Sequence, residues 1–125
     1  MDSSTTKPLS DILTKIRPCV EPLGDIKVAK IILLQKQAIE ISNEISQEGF
    51  IPVIVHDDID IFFTIEAMEQ TYNDKIEILV LSTKNENLLP LFGRARELGK
   101  EVVLLQNADN LNKGLRHVAD MVLSI

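Results

Sequence analysis

A chain of 125 residues, 45% apolar and 26% charged, is long enough to bury a core as one globular domain and reads as neither a disordered nor a membrane chain. Its apolar runs fall far short of the ~20 residues of a membrane span, and Met1–Lys7 is too polar for a secretory signal, so a cytoplasmic location is expected. A net charge of −6 opposes phosphate binding unless the cations cluster.

In chain order, residues 1–7 are expected to form a flexible tail and 8–125 a single domain. Leu9, Ile12, Leu13 and Ile16 recur at helical spacing, with a break expected at Pro18. Cys19 is the single cysteine, has no internal disulfide partner, and is expected to pack between Pro18 and Val20. The segment EPLGD from Glu21 is a turn, and Ile26–Leu34 reads as a strand. A helix from about Lys36 to Glu48 carries Ala38, Ile41 and Ile45 on one stripe, and Gly49 suits its left-handed cap. Ile51–Val55 is the second strand.

The third helix, about Ile59 to Tyr72, surrounds its first two turns with Ile59, Ile61, Phe62, Phe63 and Ile65, so it is expected to be buried on more than one side. Ile78–Leu81 is a continuous apolar run, as in a strand covered on both faces. Asn87 is expected to cap the next helix, with Pro90 in its first turn and Gly99 ending it. Glu101–Leu105 is a fourth strand, and Gln106–Asn112 a polar loop. A short helix near Lys113–Asp120 leads to Met121–Ile125, an expected edge strand. This alternation predicts a three-layer α/β/α domain around a mostly parallel sheet of four to five strands.

Ligands of parallel sheets bind beyond the carboxyl ends of the strands, and two segments lie there. His56-Asp57-Asp58-Ile59-Asp60 follows the second strand. Its carboxylates suit Mg²⁺, and they equally suit the cap and dipole of the helix they enter. Glu66 lies nearly two turns beyond Asp60, either approaching the same pocket or facing water. After the third strand come Lys84, Asn85, Glu86 and Asn87, where only Glu86 is negative. Glycine-rich phosphate loops, zinc-ligand spacing and a nucleophile elbow are missing. Lys84, Arg94, Arg96, Lys100, Lys113 and Arg116 concentrate in the C-terminal half, either as solvated helix ends or as a binding patch.

The block GFIPVIVHDDIDIFFTIEAMEQTYNDKIEILVLSTKNENLLPLFGRARELGKEVVLL resembles the NYN group of PIN-like domains, particularly an archaeal branch of uncharacterised proteins. The likeness extends upstream through PLGDIKVAKI and downstream to LRHVADMVL. It implies a PIN-like fold and descent from metal-dependent ribonucleases with acidic residues at the strand ends. Asp58 and Asp60 match the family's Asp-x-Asp, and Glu66 matches an acidic position in the following helix. Asn85 and Asn87 stand where the family has two aspartates. The family's opening strand, which ends in a ligating aspartate, would precede the first helix of this chain.

An asparagine carbonyl coordinates a cation but adds no charge to hold it. The expectation is therefore a catalytically degenerate NYN/PIN-like domain that binds RNA or a protein partner, with no cofactor and with Lys84, Arg94 and Arg116 as RNA contacts. One alternative is a Mg- or Mn-dependent ribonuclease using Asp58, Asp60, Glu66 and Glu86, the metal resting on Asp58 and Asp60. Another is a structural assembly module without ligand. The resemblance places the opening strand between the Ile26 and Ile78 strands, and the helix face of Ile59, Phe62, Phe63 and Ile65 is strongly apolar. Together these predict a homodimer with its interface on that helix.

Overall fold

The computed structural model describes residues 9–106 and 113–125, so the expected tail, residues 1–7, and most of the Gln106–Asn112 loop lie outside the described residues. The chain divides into two units, Met1–Ile59 and Asp60–Ile125. As expected, it is an α/β protein in which every described strand pair is parallel, with five strands arranged as sheets of two and three.

The first unit opens with α1, Leu9–Val20, which runs two residues past the break expected at Pro18. In the last turn a proline forfeits one backbone hydrogen bond without stopping the helix, which then tightens into a 3-10 turn over Glu21–Leu23. Strand β1, Lys30–Leu34, is shorter than expected. Its pairing starts where Ala29 O accepts the Ile51 N–H at 2.8 Å, and the partner strand reaches no further back.

Helix α2, Gln35–Gln47, starts with Gln37 Oε1 accepting the Leu34 N–H at 3.1 Å. It ends at Gly49, whose φ of +84° is the left-handed conformation expected there. Arg17 seals that end: its Nε donates to Glu48 O at 2.7 Å, its Nη2 to Gly49 O at 3.0 Å, and its guanidinium lies over the Phe50 ring. A cation thus meets the carbonyls that a helix C-terminus leaves unpaired. Leu13, Leu33, Ala38 and Ile45 form the core of this unit. Strand β2, Ile51–Val55, pairs with β1 from Lys30↔Ile51 to Leu34↔Val55. Because Ile51 points its N–H at β1, strand alternation turns the nitrogen of Pro52 outward, where its missing proton discourages further pairing.

The second unit takes in α3 (Ile59–Thr71) from Asp60 onward, followed by β3 (Ile78–Leu81), α4 (Leu89–Glu97), β4 (Glu101–Gln106), α5 (Lys113–Val118) and β5 (Met121–Ser124). Its sheet has the order β3-β4-β5, so β5 is the edge strand the sequence predicts. Central β4 buries Val102, Val103, Leu104 and Leu105 in succession, the pattern of a parallel strand covered on both faces. Register aligns Leu79 with Val102 and Leu81 with Leu104, and these four pack with Phe92, Ala95 and Leu115. Gly99, at φ +84°, closes α4 as expected.

Two further expectations are corrected. The cap before α4 is Asn85 rather than Asn87: it heads a 3-10 turn over Glu86–Leu88, and its Oδ1 accepts the Asn87 N–H at 2.9 Å. A short Asx turn places the acceptor two residues ahead of the donor, so the earlier asparagine takes the role. Helix α3 is also less buried than its composition suggests. Only Ala67 and Thr71 are buried, Phe63 and Met68 pack partly against the core, and Ile61, Ile65 and Phe62 remain 56%, 54% and 40% exposed. Its apolar circumference exceeds the stripe that its unit covers.

Candidate functional site

The carboxyl end of β3 and the first turn of α3 meet at one hydrogen bond. Asn85 Nδ2 donates to Asp60 Oδ2 at 2.8 Å. The loop that carries Asn85 is preorganised, because the Asn85 N–H donates to Thr83 Oγ1 at 3.2 Å while its Oδ1 is held by the Asn87 N–H. That second contact also fixes the amide orientation: Oδ1 must face the backbone donor, so Nδ2 must face the carboxylate. On the helix side, Thr64 Oγ1 donates back to Asp60 O at 2.8 Å.

These residues border a shallow cleft of about 390 Å³, lined by Asp60, Ile61, Thr64, Ile65, Asn85, Asn87 and Leu88. Three aliphatic side chains line it, and one carboxylate, one hydroxyl and two carboxamides supply its polar groups. The cleft, open to solvent, sets aliphatic surface beside a few hydrogen-bonding positions.

The residues present do not fit a divalent cation. A bound Mg²⁺ needs oxygen ligands, and of the two groups joined here Asp60 presents oxygen while Asn85 presents its amide protons. The Asn85 carbonyl, its one oxygen, is already an acceptor for the Asn87 N–H. Among the described residues, nowhere do three His, Cys, Asp or Glu side chains gather as a metal group would require. Asp58 is exposed at φ +54°, in the turn between β2 and α3, a conformation that aspartate tolerates better than most residues. Glu66 is half-buried, lies about 120° round the helix from Asp60, and is not part of the cleft lining. Glu86 is exposed in the 3-10 turn and is likewise not part of the lining.

The candidate cations separate along α4. Lys84 is exposed on the loop that bears Asn85, at the carboxyl end of the sheet. Arg94 lies in the last turn of α4, toward the opposite end. Its Nε and Nη2 donate to the Tyr72 hydroxyl at 3.2 and 3.1 Å, and its Nη1 pairs with Glu97 at 3.2 Å. The Tyr72 hydroxyl, followed by Glu97, raises the Arg94 pKa further above its ordinary value. Arg96 pairs with Asp120 at 3.2 Å, and Lys100 Nζ donates to the carbonyls of Asn73 and Ile76. Arg116 is exposed in the last turn of α5. Helix-end and loop-tying roles account for Arg94, Arg96 and Lys100.

Of the expected interface residues, Phe62 and Ile65 are exposed, Ile59 is half-buried, and Phe63 packs against the core of the second unit. Two features escape sequence reasoning. The Tyr72–Arg94 pair joins residues with no pattern relating them. Gln106 ends β4 with its Oε1 buried and without a partner among the described residues, and its only sequence signal is an amide closing an apolar strand.

The arrangement of parallel strands and helices agrees with comparison to known proteins. The NYN domain family model matches residues 5–125, across both units, and the chain belongs to that family. An uncharacterized protein of the archaeon Methanocaldococcus jannaschii is 28% identical over 113 residues. That match covers 90% of this chain and 47% of the relative, so the chain spans about half the relative's length. The fold resembles the crystal structure of a protein of unknown function from Vibrio parahaemolyticus, at a TM-score of 0.77 and 16% identity over 90% of this chain and 77% of that one. No helix among the described residues is long and apolar enough to cross a membrane.

Proposed function

We propose that this NYN domain binds single-stranded RNA without cleaving it. The observation that supports the reading is the double engagement of Asn85, whose amide group donates to Asp60 and whose carbonyl accepts from Asn87. A hydrogen bond thus occupies the strand-end position where a metal-dependent nuclease needs clustered carboxylate oxygens. Without a cation to neutralise the phosphate and activate water, phosphodiester hydrolysis loses its main driving contributions. Binding needs neither: Lys84, on the loop that bears Asn85, would supply a phosphate contact, and the aliphatic lining of the cleft a surface for bases.

The test is a pair of measurements on the purified chain. Fluorescence anisotropy with a labelled single-stranded RNA should show binding that weakens with salt, and incubation of the same RNA with Mg²⁺ or Mn²⁺ should leave it intact. Metal-dependent cleavage abolished by Asp60→Asn would replace this reading with the ribonuclease. Absence of RNA binding would favour a protein-interaction role.

A specific observation favours self-association as well. Glu77 O accepts the Glu101 N–H, so alternation turns the backbone groups of Ile78 and Val80 away from β4, toward an edge with no further strand of this sheet among the described residues. Phe62 adds an exposed aromatic on α3. A second copy of this chain would cover both, and a twofold dimer is the commonest arrangement.

A further inference from the structure

We propose that the Asp60–Asn85 cleft selects guanine among the four RNA bases, an inference that rests on the RNA-binding reading and names what the cleft recognises. Single-stranded RNA is read by bases splayed from the strand, with their faces on protein surfaces and their Watson–Crick edges on fixed polar groups. Ile61, Ile65 and Leu88 supply hydrocarbon for the base face, and the first two lie more than half exposed, so covering them removes apolar surface from water.

The edge is selected by the polar groups. Asp60 is acceptor-only, with about four lone-pair positions, of which Asn85 Nδ2 takes one. The remaining positions demand a ligand with neighbouring N–H donors. Guanine presents N1–H and an N2 amino proton side by side and parallel, matching the two oxygens of a carboxylate. Adenine and cytosine place a ring-nitrogen lone pair beside their amino group, and uracil flanks its single N–H with two carbonyls, so each sets a lone pair against the negative charge. The carboxamide of exposed Asn87, on the same lining, adds an N–H donor suited to the guanine O6.

The cleft is also fixed before ligand arrives. Asn85 holds the Asp60 carboxylate through a donor that is itself locked by the Asn87 N–H, so little side-chain freedom remains to be lost on binding. A bidentate base contact of this kind discriminates by about tenfold or more against a mismatched base.

Two experiments test it. Two-dimensional ¹H–¹⁵N NMR of the intact chain, titrated with each nucleoside 5′-monophosphate, should show guanosine monophosphate shifting the amides of Ile61, Thr64, Asn85 and Asn87. The other three should bind about tenfold more weakly or not at all. Asp60→Asn should abolish that preference with a dispersed, folded spectrum, and Asn87→Ala, which leaves the Asn85–Asp60 contact intact, should weaken guanosine monophosphate selectively. Equal shifts from all four nucleotides, or none at the cleft, overturn the assignment.

Anisotropy with an octauridine strand and the same strand carrying one central guanosine separates the two readings. Tighter binding of the guanosine strand is expected. Equal, salt-sensitive binding of both overturns the guanine assignment and leaves RNA binding standing. Binding of neither, with guanosine monophosphate still titrating the cleft, ends the RNA reading and supports a nucleotide site.

Discussion

Asp60 and Asn85, 25 positions apart in the chain, are joined by a 2.8 Å hydrogen bond in which the carboxamide donates and the carboxylate accepts. That bond aims the Asn85 amide protons, not its oxygen, at the carboxylate. In Asn85→Asp the donor becomes a second carboxylate, and like charges replace the bond. At neutral pH the variant should lose about 1 kcal/mol of stability, less than a buried hydrogen bond to a charged group because Asp60 is solvent-exposed. Acidification should recover the loss, since one protonated carboxyl can again donate. In Asn85→Asp/Asn87→Asp, calorimetry should detect Mn²⁺ binding that wild type does not show. Saturable Mn²⁺ binding by wild type would contradict the metal-free account of the cleft.

The separation of Lys84 from Arg94 along α4 predicts unequal roles in RNA binding. Lys84 shares the loop of Asn85, whereas Arg94 is held by Tyr72 and Glu97 at the other end of the helix. Lys84→Gln should weaken binding and lower the log-log salt slope by about 0.7, the value for one single-strand phosphate contact. Arg94→Gln should change the slope much less. A larger effect at Arg94 would move the binding surface to the amino end of the sheet.

Gly49 and Gly99 share a φ of +84° but differ in what surrounds them. A Cβ at Gly99 meets nothing within 4 Å, whereas one at Gly49 comes within 2.5 Å of Arg17 Nη2. Gly99→Ala should therefore cost only the left-handed conformation, about 1–2 kcal/mol. Gly49→Ala should cost more, because Arg17 must also leave the carbonyls of Glu48 and Gly49. Urea denaturation of both variants, alone and combined with Arg17→Met, checks this: the excess at Gly49 should shrink once Arg17 is removed.

The elements that sequence reasoning located best are those with a local cause. Gly49 and Gly99 end helices because the left-handed conformation is nearly closed to other residues, and the run Ile78–Leu81 is a strand because it is apolar without helical spacing. The ends of β1 and the exposure of α3 were not legible in the same way. A strand begins where its partner begins, and Ile51 lies some twenty residues beyond Lys30 in the chain. Exposure of Ile61 and Ile65 depends on how much surface the rest of the unit covers, which periodicity does not state. At the cleft, the residue types were visible, since Asp60, Asn85 and Asn87 stand in motif positions. The donor direction of Asn85 was not, because it follows from an Asx turn that commits the carbonyl to Asn87.

Self-association and ligand binding can be tested separately because Phe62 does not line the cleft, although Ile65, three residues on along the same face of α3, does. Phe62 is 40% exposed, and the outward backbone groups of Ile78 and Val80 face an edge with no further strand of their sheet among the described residues. An exposed aromatic and a strand edge without a partner in its sheet each favour association, and a second copy would cover them. Sedimentation equilibrium at micromolar concentration should then report a dimer. Phe62→Asp should shift it to monomer with its circular dichroism and thermal transition preserved, since Phe62 is not among the residues that form or pack against the core of its unit. The guanosine monophosphate shifts at Ile61 and Asn85 should persist in that monomer. A wild-type monomer at these concentrations rules out the dimer. A Phe62→Asp variant that stays dimeric moves the interface off this helix, with the β3 edge as the remaining candidate, which a proline at Val80 would then test.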